Sequence, residues 1–321
     1  MSHISWLEAG VIGVVQGVSE LFPVSSLGHS VIIPALVGGS WARDLSVSAP
    51  ESPYLAFIVG LHVATAVALI VFFRRDWVRI VGGLLSSVRD RRVHTADQRL
   101  GWYLVLGTIP VGIAGLLLEH TVRTVLGRPV PAAAFLVLNG VVLGVAERLR
   151  RQGERGARNP RVTVDTGDDV GRRSTAREIA APDPGEASDR RLARTGVRGA
   201  LVIGAAQIAA LLPGVSRSGA AMVAGMGRGL SHEDAARFSF LLATPVILAA
   251  GVLKLPDLAG PLGDGIRGQV VFGSVLSGLS AYVSVRFLVR WFTTRTLTPF
   301  AVYCVAAGLL SLVVFAVRGL S

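Results

Sequence analysis

Residues 16–29 read Gln16-Gly17-Val18-Ser19-Glu20-Leu21-Phe22-Pro23-Val24-Ser25-Ser26-Leu27-Gly28-His29, and residues 207–219 read Gln207-Ile208-Ala209-Ala210-Leu211-Leu212-Pro213-Gly214-Val215-Ser216-Arg217-Ser218-Gly219. Each interrupts a stretch, 4–38 or 198–230, that is otherwise apolar enough for a membrane. Glu20, His29, Arg217 and the serines 25, 26, 216 and 218 are costly in hydrocarbon unless they line a pocket. Pro blocks helix continuation and Gly permits a tight reversal. Each stretch is therefore expected to be a re-entrant helix–loop–helix pair. A non-helical tip at membrane depth is tolerated only inside protein or beside water.

The rest of the chain agrees. A mean hydropathy of +0.56 over 321 residues, with 51% apolar side chains and the charges gathered into a few segments, is the profile of a polytopic helical membrane protein. Six further runs are long enough to span, at about 54–73, 101–118, 130–149, 237–255, 269–290 and 298–317. The net charge of +11 resides mainly in loops beside apolar runs. It sets topology and meets lipid headgroups; no interleaved aromatics point to nucleic acid. The single cysteine, Cys304, excludes an internal disulfide and a cysteine metal cluster. The apolar start from Ile4 has no basic region before it and is read as retained.

The two interrupted stretches match at an offset of 191. Gln16/Gln207, Ser25/Ser216, Gly13/Gly204 and Gly28/Gly219 are identical pairs. Three spans follow each, so the second half is expected to be inverted relative to the first, with the polar tips meeting near mid-membrane. The fold expected is all-α: an inverted-topology repeat of six full transmembrane helices plus two re-entrant pairs. Residues 1–149 form the first repeat, 150–195 a disordered cytoplasmic linker rich in Arg, Asp, Gly and Pro, and 196–321 the second. Segments 74–99 and 147–198 hold seven and thirteen Arg, whereas 39–53, 119–129 and 256–268 hold four together. The positive-inside bias makes the Arg-rich segments cytoplasmic and puts both termini outside.

The second tip is an anion site in outline. A helix restarting near Ser216 points free N–H groups into the gap. Arg217 adds a permanent charge and a fork that matches two phosphate oxygens. Ser216 and Ser218 either cap the helix or donate to the same oxygens. In the first tip Ser26 and His29 are three apart, so that His29 can take a proton from, or orient, the Ser26 hydroxyl. Ser25 pairs with Ser216 in the alignment and reads first as a helix cap. Glu20 has three readings: it holds a divalent cation (Mg²⁺ or Ca²⁺) with Gln16, orients His29, or acts as the base. His62 falls inside the first full span, where it could face the site, with nothing local to support that. Asn139 reads as a helix–helix hydrogen bond.

The two motifs, their order, the span pattern and the tract Phe72-Phe73-Arg74-Arg75-Asp76 resemble the bacterial undecaprenyl-diphosphate phosphatases, the BacA-type bacitracin-resistance proteins. The resemblance implies a metal-dependent hydrolase of the bacterial inner membrane. It would cleave undecaprenyl diphosphate to undecaprenyl phosphate and inorganic phosphate, recycling the carrier of peptidoglycan synthesis. Carried over by motif position, Ser26 is the nucleophile, His29 the acid/base, Glu20 the acidic residue and Arg217 the diphosphate clamp, with Ser25, Ser216 and Ser218 around the diphosphate. The family often has a second acidic residue where this chain has Gln16, and Thr or Ser where it has Leu27. Its partners would be the polyprenyl diphosphate and membrane lipid, with a homodimer left open. The rival reading is a transporter or flippase of a phosphorylated lipid or other anion, which needs Arg217 and the helix ends but not Ser26, His29 and Glu20.

Overall fold

Thirteen α-helices and one 3-10 turn account for nearly all of the described residues, which in this computed structural model are 4–47, 53–157, 184–260 and 263–320. The first interrupted stretch is helix α1 (Trp6–Leu21), a break at Phe22–Ser25, and α2 (Ser26–Val37). A short α3 (Gly39–Asp44) leads to the first long apolar helix, α4 (Pro53–Phe72). The segment 74–90, expected as loop, is helix α5 (Arg74–Asp90). Val78, Val81, Leu85 and Val88 form an exposed apolar stripe on it, spaced so that they share a face. Helices α6 (Ala96–Leu126) and α7 (Pro129–Ala157) complete the first half. α6 begins and ends beyond the expected span because a Thr95 capping box starts it and the Glu119–Arg123 ion pair supports its last turns.

Helix α8 (Pro184–Leu192) precedes the second interrupted stretch. That stretch is α9 (Gly196–Ala206), the 3-10 turn Gln207–Leu211, a break, and α10 (Arg217–Gly227). Helices α11 (His232–Ala259), α12 (Arg267–Thr294) and α13 (Thr298–Arg318) follow. Six helices, α4, α6, α7, α11, α12 and α13, contain segments long and apolar enough to cross a membrane, in the order expected.

The packing is reciprocal between the halves. α1 lies along α12 and α9 along α6; α4 and α11 pack on each other; α7 pairs with α13. Small residues set the first two contacts. A methyl built on Gly13 would sit 2.5 Å from the Gly273 carbonyl, and one on Gly204 2.1 Å from that of Gly107.

Of the stretch 150–195, the ends lie in α7 and α8, and residues 158–183, where most of the expected linker falls, lie outside the described ones. Helix α8 docks through charge. Buried Asp189 accepts hydrogen bonds from Arg79 of α5 and from Arg237 of α11 (3.0 Å). Asp234 takes Ser188 and both arms of Arg191, and this hydrogen bond holds the guanidinium above its ordinary pKa. A composition dominated by Arg and Asp reads as solvated unless the partners are known, and these partners lie 43 to 110 residues away.

Candidate active site

Both chain breaks are tight because their caps are local. Ser25 sits at φ 71°, a conformation unusual for a non-glycine residue, and its Oγ accepts the Gly28 N–H that opens α2 (3.1 Å). Ser216 caps α10 in the same way, accepting from the Gly219 N–H (3.1 Å). The tips then meet each other. Ser25 Oγ also accepts the Gly214 N–H (3.2 Å), and Ser218 Oγ donates to the Phe22 carbonyl (3.2 Å). Asn139 of α7 joins them, donating to the Pro23 carbonyl and accepting from the Ser216 N–H, both at 3.0 Å. A methyl on Gly28 would lie 2.8 Å from the Gly214 Cα, so the two backbones are in contact.

This junction brings charge together. Glu20, near the end of α1, is 6% exposed, and both of its carboxylate oxygens are occupied. Arg217 donates to Oε1 and, through its other arm, to the Ala243 carbonyl (3.1 Å). Oε2 accepts from the Ser26 hydroxyl and from Gln16 Nε2 (3.0 Å), and His62 Nε2 stands 3.2 Å away. His62 Nδ1–H donates to the Ile58 carbonyl (2.8 Å), so the Nε2 contact is a hydrogen bond only when that nitrogen also carries a proton. A buried carboxylate surrounded by donors and one fixed guanidinium meets the usual requirement for burying charge. Glu20, Ser26, His62 and Arg217 all line one cavity of about 260 Å³, whose wall is otherwise mostly apolar and which reaches Glu119 and Arg123 on the last turns of α6.

Ser26, Glu20 and Arg217 are thus together, as the motifs suggest. His29 is not with them. Its Nδ1–H donates to the Ser25 carbonyl (2.7 Å) and its Nε2 accepts from the Tyr303 hydroxyl (2.8 Å), which satisfies a neutral ring completely. It lines a separate apolar groove with Phe22, Ile33 and Tyr303. The three-residue spacing does put Ser26 and His29 on one helix, but Ser26 turns its hydroxyl back to Glu20 on the preceding one. Ser25, Ser216 and Ser218 spend their hydroxyls on caps and on the tip-to-tip contact, although Ser25 and Ser216 also border the cavity.

Gln16 is fully buried behind Glu20 and does not border the cavity; its Oε1 makes no hydrogen bond. Among the described residues no three His, Cys, Asp or Glu side chains group as a metal site. With Glu20 satisfied by its neighbours and Glu119 paired with Arg123, these donors do not form a ready cation cage.

His62 is the member of the site that the motifs do not contain. The available signal was a histidine inside an otherwise apolar span, which by itself marks a functional position. Asn139 carries the same kind of signal.

Comparison with known proteins identifies the family. The family "Bacitracin resistance protein BacA" matches residues 9–310. The chain is 62% identical to the undecaprenyl-diphosphatase of Mycolicibacterium paratuberculosis, covering 99% of both chains. It is 56% identical to undecaprenyl-diphosphatase 1 of Frankia casuarinae, covering 99% of this chain and 100% of that one. A relative from Chromobacterium violaceum, undecaprenyl-diphosphatase 2, is 39% identical over 95% of this chain and 97% of its own. On this match across both tips and every long helix, the chain belongs to the bacitracin resistance protein BacA family.

Proposed function

We propose that this chain is an integral-membrane undecaprenyl-diphosphatase. It hydrolyses undecaprenyl diphosphate to undecaprenyl phosphate and inorganic phosphate, which returns the lipid carrier to peptidoglycan synthesis and confers bacitracin resistance. The observation that carries this reading is the meeting of a hydroxyl, a carboxylate and a guanidinium in one cavity, in a chain this similar to named undecaprenyl-diphosphatases.

In the mechanism proposed, Ser26 Oγ attacks the terminal phosphorus while its proton passes to Glu20 Oε2. The bond from that phosphorus to the bridging oxygen breaks, and its electron pair leaves with undecaprenyl phosphate. Water then attacks the phosphoserine. The Oγ–phosphorus bond breaks, Oγ regains the proton from Glu20, and the proton of water leaves on inorganic phosphate. Arg217 stabilises charge on the equatorial oxygens, where catalysis of phosphoryl transfer mainly resides. His62 and Gln16 hold Glu20 in place. His29 positions Ser25 through its backbone and does not handle the proton. Glu20 would be the carboxylate nearest to hold a divalent cation, but both of its oxygens are engaged, so no step is routed through a metal.

We further read the chain as an inverted-topology repeat in the bacterial inner membrane, with both termini outside and the cavity open to the outer face. The 191-residue offset, the reciprocal packing of α1 on α12 and α9 on α6, and the Arg distribution support that reading.

The test is phosphate release from undecaprenyl diphosphate by purified protein in detergent. Wild type turns over; Ser26→Ala, Glu20→Gln and Arg217→Ala each lose at least a hundredfold in kcat. Movement of labelled lipid across vesicles with no phosphate release would replace the hydrolase by a flippase.

A further inference from the structure

Gln207 lines the same cavity as Glu20, Ser26 and Arg217, is 1% exposed, and its Nε2 makes no hydrogen bond. A buried amide donor without an acceptor is costly and rare. Among the described residues bordering the cavity, no other fully buried side-chain donor lacks an acceptor. Arg217 is engaged by Glu20 and Ala243, so the cavity's most obvious cation is already partly spent.

The repeat explains how the donor came to be left over. Gln207 aligns with Gln16, whose Nε2 donates to Glu20, four residues further on. Four residues beyond Gln207 stands Leu211, whose side chain has no acceptor. The two glutamines do not satisfy one another, because Gln16 Oε1 is also without a partner. Gln207 opens the 3-10 turn that breaks α9 just ahead of the second tip.

We infer that Gln207 is a head-group-binding residue, its Nε2 donating to a phosphate oxygen of the diphosphate held between Ser26 and Arg217. The inference rests on the hydrolase reading above. The second tip then contributes a neutral donor as well as Arg217, and the substrate itself completes a hydrogen-bond pattern that the protein's own groups leave open.

The experiment measures kcat/KM for undecaprenyl diphosphate in detergent, together with the unfolding temperature without substrate, for wild type, Gln207→Met and Gln207→Glu. Gln207→Met keeps the length and removes the donor. Its kcat/KM falls roughly tenfold to a hundredfold, the range for a hydrogen bond to a charged acceptor. Its substrate-free unfolding temperature stays level or rises, since an unsatisfied buried donor has gone. Gln207→Glu replaces the donor by an acceptor and loses more. A Gln207→Met protein with kcat/KM within twofold of wild type overturns the inference. So does one whose unfolding temperature falls together with its activity, which marks a structural role. If wild type releases no phosphate, the hydrolase reading falls first; if only Gln207→Met is silent, the assignment of Gln207 falls alone.

Discussion

Replacing Gly28 by Ala tests whether the contact between the two tips sets the active-site geometry. The added methyl would lie 2.8 Å from Gly214 Cα, 3.0 Å from Gly214 N and 3.2 Å from Ser25 Oγ. Ordinary contact begins at 3.4 Å, so the tips must separate by at least about 0.6 Å, the difference of 3.4 and 2.8. Gly214 has little room of its own, since a methyl built on it would lie 2.3 Å from the Ala132 carbonyl of α7. Overpacking of this kind costs about 1–3 kcal/mol of stability. The separation also pulls Arg217 from Glu20 and Ser26, since one tip carries the guanidinium and the other the hydroxyl. Misplacement by about 1 Å is enough for a loss of about 100-fold in catalysis. Phosphate release and thermal unfolding in detergent are read for Gly28→Ala, with Gly112→Ala as control. Gly112 lies on α6 with nothing within 4 Å of a new methyl, so its variant keeps full activity and gains or holds stability. Wild-type kcat/KM in Gly28→Ala would refute the reasoning.

Other perturbations separate the roles assigned around the site. Tyr303→Phe removes the far-side bond of His29 and lowers kcat by less than about tenfold, whereas His62→Ala, which strips a partner from Glu20, lowers it by about 100-fold or more; steady-state phosphate release ranks them. Asn139→Leu breaks the bonds to Pro23 and Ser216 and leaves the Ser216 N–H unpaired, so the unfolding free energy falls by about 1–3 kcal/mol in chemical denaturation. Asp189→Ala removes one carboxylate from Arg79 and Arg237 beside α8, both of which keep Asp76; stability drops by about 1–3 kcal/mol while kcat/KM stays within a few-fold, because the network touches none of the cavity's polar groups.

The two tips were legible because their chemistry is anomalous where it stands. Pro23, Pro213, Glu20 and Arg217 violate the apolar pattern around them, and a violation at membrane depth needs a reason. The six long helices were legible from apolar length alone. What escaped was the rotation of helices about their own axes. α4 is apolar on every side, so nothing in its periodicity reveals that His62 faces Glu20 rather than another helix. The Ser26–His29 spacing correctly places both on α2, yet spacing on one helix is blind to a better partner on the helix before it. α5 was missed because seven Arg between 74 and 99 mask the apolar stripe Val78, Val81, Leu85, Val88. The Asn139 bridge joins residues 77 and 116 positions apart, a separation that no local pattern encodes.

The central claim is that Glu20 from one tip and Arg217 from the other act on a single substrate as a unit. A double-mutant cycle in kcat/KM for undecaprenyl diphosphate measures this directly, with Glu20→Gln, Arg217→Gln and the combined variant. Groups acting together give a double variant about as impaired as the worse single one. Losses that multiply, each variant contributing its full factor in the presence of the other, would mean that the two residues work independently and that the tips do not build one site.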